Sequence, residues 1–197
     1  YSAMTNAETI RAVYNVFDDT SSELQYCWRV KYMDIGHNET LTDLSFIGYM
    51  PDLEILILSG CAASDLSGFE NCKKLEYLEL ANCLKLSDLT PLSGCASLKY
   101  LNICYTKVSS LMPLDGLPIQ NLFCKRTRVG ADEQTQFKQI HPDATAVFTG
   151  KDPYAGPGWR YVDNGYTYSE FYKKVREVFN LDQVDALLRA QEKAAGN

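Results

Sequence analysis

What this 197-residue chain lacks narrows its function quickly. No apolar run approaches the roughly 18 to 20 residues of a membrane span. The longest apolar cluster, around Leu53 to Leu58, is far too short, so no membrane insertion is expected. The opening residues show no basic leader followed by an apolar segment, so no signal peptide is expected there, although a mature secreted protein would have lost one. Positive charge is not in excess. A net charge of −6 argues against a nucleic-acid backbone as partner, which needs a basic surface. Histidine occurs only at His37 and His141, so neither a His-based triad nor a zinc site assembles easily. No CxxC pair is present. Gly156-Pro-Gly158 follows a loop, and Pro157 removes an amide donor. Gly150-Lys151 lacks the upstream glycine of a phosphate loop. No catalytic residue, metal site or cofactor is expected, and the chain reads as a non-enzyme.

What the chain does have is a period. Between Leu75 and Leu114 it says the same thing twice: Leu75, Leu78 and Leu80 are followed by Cys83, Leu86, Leu89 and Leu92, then Leu98, Leu101 and Ile103 by Thr106, Val108, Leu111 and Leu114. Val30, Met33 and Ile35 occupy the positions that Leu53, Leu56 and Leu58 occupy next, and Ile119, Leu122 and Cys124 come last. Starts at 30, 53, 75, 98 and 119 give spacings of 23, 22, 23 and 21 residues. A short strand, a tight bend and a second apolar segment recur, and each copy is too small to bury its own face.

The ninth position of each copy reads Asn38, Cys61, Cys83, Thr106 and Thr127. There a small polar side chain inside the bend can bond unpaired backbone groups. The closing segments read Asp43-Leu-Ser-Phe-Ile47, Asp65-Leu-Ser-Gly-Phe69, Asp88-Leu-Thr-Pro-Leu92 and Ser110-Leu-Met-Pro-Leu114. These motifs, covering about 30–129, resemble the leucine-rich repeat family in its bacterial 22-residue, internalin-like subclass. The resemblance implies an α/β solenoid with a parallel concave β-sheet and extended or 3₁₀ segments on the convex side. Asn fills the ladder slot only once, and the fifth copy loses its closing segment.

Three regions are expected. Residues 1–29 form an N-terminal helical cap. Thr5-Asn-Ala-Glu8 has a capping-box form, and Ile10, Val13, Tyr14 and Phe17 mark one face of a helix over 5–18. Residues 30–149 hold about five repeats, closed by a helix over Ala131 to Ile140, with Phe137 and Ile140 expected inward, and a last strand around Ala144, Ala146 and Phe148. Residues 150–197 hold an aromatic loop with Trp159, Tyr161, Tyr166 and Tyr168, followed by C-terminal helices. There Thr167-Tyr-Ser-Glu170 repeats the capping-box form, and Asp182 is expected to cap a further helix with Val184, Leu187 and Leu188. The Gly158-Trp-Arg-Tyr161 segment and the Tyr-rich turn after it look like tails that follow repeats in Firmicutes surface proteins.

The seven cysteines fit the repeat register better than a disulfide framework. Cys27, Cys72 and Cys95 each precede a repeat start by three residues, Cys61 and Cys83 fill the ladder slot, and Cys124 takes a core leucine position. Distance alone leaves Cys61–Cys83 and Cys72–Cys95 bridges open, because neighbouring strands are about 5 Å apart. The slots work without bridging, so free thiols are expected. Cys104 alone follows the last core residue of its strand. It is expected at the concave edge as a partly exposed thiol, with no histidine near enough to activate it.

The candidate ligand-binding residues are those between the leucines. Third positions read Tyr32, Ile55, Tyr77, Tyr100 and Asn121. Fifth positions read Asp34, Ile57, Glu79, Asn102 and Phe123. His37, Asn82, Tyr105 and Arg126 come just after the strands. Tyrosines in a row with a few charges suit recognition. The expected site is Tyr32, Asp34, Tyr77, Glu79, Tyr100, Asn102, Tyr105, Phe123 and Arg126, presented by a monomer to a protein or glycan at the cell surface or outside the cell. The competing reading is that the row is cross-strand packing, or is covered by the C-terminal tail. On that reading the solenoid is a structural or regulatory spacer, in a reducing cytoplasm, that binds through its tail.

Overall fold

The structure is a computed structural model and describes residues 6–13, 19–156, 158–163 and 166–195. It forms two compact units, Tyr1–Pro153 and Tyr154–Asn197.

The first unit is one seven-stranded, all-parallel sheet in chain order. Its strands are β1 (Thr9–Arg11), β2 (Tyr32–Asp34), β3 (Ile55–Ile57), β4 (Tyr77–Glu79), β5 (Tyr100–Asn102), β6 (Asn121–Phe123) and β7 (Thr145–Val147). The ladder register aligns Met33, Leu56, Leu78 and Leu101 with Leu122 and Ala146. That row enters the core with the leucines on either side of it, and Met33, Leu56, Leu78 and Leu122 are fully buried. The repeat starts read from the sequence are therefore the true register of β2 to β6.

On the other side of the solenoid, 3₁₀ segments run over Ser45–Tyr49, Phe69–Asn71, Thr90–Gly94 and Met112–Leu114. Each is entered through a side-chain turn. Asp43, Asp65 and Asp88 accept the main-chain N–H of Ser45, Ser67 and Thr90, each at 2.8 Å. Phe46, Ile47, Phe69, Leu92 and Leu114 then plug the core from that side. The closing helix α1 (Ala131–Ile140) and β7 follow as expected, with Phe137 and not Ile140 as the buried residue of the helix.

The N-terminal helix expected over 5–18 is corrected. Thr9–Arg11 is a strand, paired with β2 through Thr9 to Tyr32, Ile10 to Met33 and Arg11 to Asp34. Lys31 and Tyr32 donate to the Glu8 carbonyl at 2.9 and 3.1 Å, and Ala12 donates to the Asp34 carbonyl at 2.8 Å. An open parallel edge carries unpaired N–H and C=O groups, and satisfying them outweighs a local helical spacing. Ile10 is then the core residue of an added turn. Among the described residues of this region, helical structure is found in the 3₁₀ segment Asp19–Tyr26. Thr5 and Tyr14 to Asp18 lie outside the described residues.

The second unit carries α2 (Glu170–Val178) and α3 (Leu181–Ala195). The N-cap of α2 is Ser169 rather than the expected Thr167: its hydroxyl accepts the Tyr172 N–H at 3.0 Å and donates to the Trp159 carbonyl. Asp182 falls inside the first turn of α3 rather than capping it, and the Arg176 side chain joins the two helices through Asp182 and, at 2.9 Å, Asp185.

Candidate functional site

Each strand of β2 to β6 ends in the same way. The seventh repeat position (Gly36, Ser59, Ala81, Cys104, Lys125) tucks under the turn and is buried. The eighth (His37, Gly60, Asn82, Tyr105, Arg126) adopts a left-handed backbone, with φ between 57° and 77°. The ninth returns inward. Asn38 is fully buried, and its amide donates to the Ile35 carbonyl at 2.7 Å and to the Ala12 carbonyl at 2.9 Å. Asn38-Glu-Thr40 has the form of a glycosylation sequon, but the Asn38 amide is buried and occupied by two carbonyls. Thr106 donates to the Ile103 carbonyl at 2.8 Å, and the Cys61 and Cys83 thiols donate one repeat back, to Ile35 and Leu58. The main chain therefore bends sharply at one place per repeat, and the eighth side chain is set on the rim of the face.

All seven cysteines are free and buried. Cys104 corrects the expectation: it is fully buried rather than at an exposed edge, and its sulfur accepts the Lys125 N–H at 3.3 Å. Its place in the small-residue seventh column is the reason. Burial pushes the Cys104 thiol up to about 12, so no thiolate nucleophile is available there at neutral pH.

The outward row is more enclosed than an open surface. Tyr32, Asp34, Ile55, Ile57, Tyr77, Glu79, Asn102 and Phe123 are buried, Tyr100 and Tyr105 are half-buried, and Arg126 is exposed. The register brings Tyr77 beside Tyr100 with their rings stacked 4.7 Å apart at 24°. Burial, and then the neighbouring Tyr100, raises the Tyr77 phenol. Asp34 meets Arg11 of β1 at 3.4 Å, a partner hidden from the sequence because β1 was hidden, and its carboxylate also accepts the Gly36 N–H at 3.3 Å.

At the last turns, three side chains converge on one short stretch of main chain. The Asn102 amide donates to the Pro153 carbonyl at 3.1 Å, the Tyr105 hydroxyl to the Lys151 carbonyl, and the Lys125 ammonium to the Asp152 carbonyl at 2.9 Å. The other end of the Asn102 amide accepts the Cys104 N–H at 3.1 Å, which fixes its orientation. The Lys125 ammonium also lies 5.4 Å from the centre of the Phe123 ring. Asn102, Tyr105 and Phe123 are thus gathered into one cluster, while Tyr32 and Asp34 stand several strands away. Lys125 was missed. The available signal was its column, in which four small residues give way to a lysine.

Along the rim, His37, Glu39, Asn82, Leu84 and Lys85 contribute to a shallow groove of about 450 Å³. Among the described residues no cluster of His, Cys, Asp or Glu is arranged to hold a metal ion, and no helix is long and apolar enough to cross a membrane. In the second unit, the aromatic residues pack on one another. Trp159 is buried edge-on to Tyr172 at 5.1 Å, and Tyr161 stacks on Tyr168 at 5.8 Å. Trp159 and Tyr172 are buried in the unit's core, Tyr161 is half-buried, and Tyr166 and Tyr168 stay exposed.

An all-parallel sheet with one strand per repeat, a ladder of small polar residues and 3₁₀ returns define a leucine-rich repeat solenoid. Residues 50–140 match the family described as the leucine-rich repeat domain of the endo-beta-N-acetylglucosaminidase EndoS. No curated protein sequence matches the chain. Among solved structures, an internalin (inlF) from Listeria monocytogenes is similar over 77% of this chain and 45% of its own, with a TM-score of 0.68 and 22% identity. A leucine-rich repeat protein from Leptospira interrogans is similar over 73% of this chain and 38% of its own (TM-score 0.66, 23% identity). Internalin C2 from Listeria monocytogenes covers 79% of each chain at a TM-score of 0.55 and 17% identity. The chain thus spans less than half the length of the first two.

Proposed function

We propose that this chain is a non-enzymatic binding module that presents the outward face of its sheet to a protein partner at or beyond the cell surface. The observation that carries the reading is the row of non-leucine side chains held in fixed register across β4 to β6. Tyr77 and Tyr100 stack, and Asn102, Tyr105, Phe123 and Arg126 follow within two repeats. Rigid amphipathic rings with polar donors beside them give large contact area at low entropic cost. The net charge of −6 supports a protein partner over nucleic acid. The leucine-rich repeat architecture supports the same reading, since stacked repeats make extended binding surfaces. Tyr32 and Asp34, on β2 and two strands from β4, are assigned with Glu79 to shaping the face.

The test is a pull-down from secreted and surface proteins, run beside a glycan array, with wild type and a Tyr100→Ala/Arg126→Ala double variant of matched thermal stability. The expected result is a protein captured by wild type and lost by the variant. Capture that the two substitutions leave unchanged, or a glycan bound in place of any protein, overturns the assignment. Antibody labelling of a tagged chain on intact cells checks the location, and signal seen only after lysis rejects a surface role.

A further inference from the structure

We propose that Lys151–Pro153 is a displaceable strap seated in a main-chain recognition site, and that the ligand this site takes in trans is an extended peptide segment of a partner protein. The proposal rests on the binding-module reading and adds to it where the partner docks and what chemistry is read.

Three consecutive carbonyls are engaged by three side chains from two adjacent repeats. Lys151 and Pro153 face Tyr105 and Asn102, both of the β5 repeat, and Asp152 faces Lys125 of the β6 repeat. Alternate carbonyls turned to opposite sides are what an extended chain presents. All three contacts go to backbone oxygen, so the site reads main chain and accepts many sequences. Two of the donors are expensive to leave without an acceptor. Lys125 and Asn102 are only 2% and 5% exposed, and a buried donor that loses its acceptor bears its full desolvation cost. Such a site holds a strap when no peptide is present and favours exchange for another carbonyl donor over standing empty.

The strap has the features of a removable one. It enters through Gly150 at φ 122°, a conformation that residues with a Cβ rarely adopt. It ends at Pro153, which holds the preceding residue in the extended region. The three contacts that seat it are hydrogen bonds, and the aromatic pair Tyr77–Tyr100 lies next along the same face. A ligand longer than three residues therefore runs from the carbonyl site onto the tyrosines.

The experiment uses the full chain and a fluorescein-labelled peptide of its own residues 149–155, Thr-Gly-Lys-Asp-Pro-Tyr-Ala, in anisotropy titrations. Gly150→Ala penalises the closed strap through its φ of 122°, while the added Cβ meets the Lys125 side chain only at ordinary contact distances of 3.4 to 3.6 Å and leaves the three donor groups in place. The peptide is expected to bind this variant about tenfold tighter than wild type, since a site mostly occupied in cis shows an affinity reduced by its open fraction. Adding Asn102→Ala and Tyr105→Phe to Gly150→Ala is expected to remove the gain. Pro153→Gly makes the same comparison through the other end of the strap if Gly150→Ala lowers the melting temperature. Equal affinities in wild type and both strap variants, no binding to any, or binding indifferent to Asn102 and Tyr105 each overturn the proposal. Because the probe is the chain's own segment, these outcomes are independent of whether a foreign protein is captured through Tyr100 and Arg126.

Discussion

Position 94 shows how closely the repeats are stacked. A Cβ built on Gly94 falls 2.6 Å from the Cα of Glu70 and 2.7 Å from its carbonyl oxygen, on the previous repeat. Main-chain atoms cannot rotate away as a flexible side chain can, so the two 3₁₀ segments must separate. Gly94→Ala is expected to destabilise the chain by about 1–3 kcal/mol, the usual range for overpacking. Gly116, whose added Cβ meets nothing within 4 Å, is the matched control, and Gly116→Ala is expected to change stability by no more than about 0.5 kcal/mol. Urea denaturation of the two variants measures both, and equal midpoints reject the close-approach argument. The left-handed residues teach a related point. His37, Asn82, Tyr105 and Arg126 are different chemically yet share one backbone conformation. The turn therefore imposes the strain, and side-chain identity there is left free for surface chemistry.

Among the elements, β1 is tied down by its ladder to β2, by buried Ile10 and by one side-chain amide from the first full repeat. Asn38 bonds the carbonyl of Ala12, just past the strand, and that of Ile35, at the end of β2, so one amide ties the added turn to the first full repeat. Removing it leaves the buried Ile35 carbonyl and the half-buried Ala12 carbonyl with one partner fewer. Asn38→Ala is expected to lower stability by about 1–3 kcal/mol and to speed amide exchange at Ala12, Lys31 and Tyr32 before that of β4 and β5. Exchange that accelerates uniformly would show that β1 is not a separable edge. This element is also where sequence reading fails and where its reason is plainest. Strands β2 to β6 repeat one apolar spacing across some 90 residues, and α1 and β7 follow from local pattern. Strand β1 has three residues and one inward side chain, Ile10, so periodicity has nothing to act on. The rows of outward residues were readable because register fixes them. Their burial was not, since what covers a face depends on contacts far apart in sequence. The contacts of Asn102 and Tyr105 with Pro153 and Lys151 span 51 and 46 residues. Lys125 belonged to a column that elsewhere holds only Gly, Ser, Ala and Cys, which marks the position without saying what it grips.

Taken together, the buried thiols give the molecule a pH dependence. Burial pushes Cys61 and Cys124 up to about 11, and Cys72, Cys83, Cys95 and Cys104 up to about 12, from an ordinary value of 9.0. A pKa raised on folding means the folded state holds its proton more tightly. The stability this contributes is complete below about pH 9, where folded and unfolded thiols are both protonated. It is lost as pH rises toward 11 to 12, because the unfolded chain ionises first and is favoured. Burial raises the Tyr77 phenol, which adds a loss of the same sign. The expected outcome is a thermal midpoint that is flat from pH 7 to about 8.5 and then falls with increasing steepness, measured under reducing conditions. Cys72→Ala/Cys95→Ala is the decisive variant, because those two thiols donate to the Ile47 and Phe69 carbonyls deep in the convex side and carry no proposed binding role. It starts from a lower midpoint, having lost packing and two weak hydrogen bonds, but its alkaline decline is shallower. Parallel curves for wild type and variant would mean that other groups drive the alkaline loss, leaving the cysteine columns as packing alone.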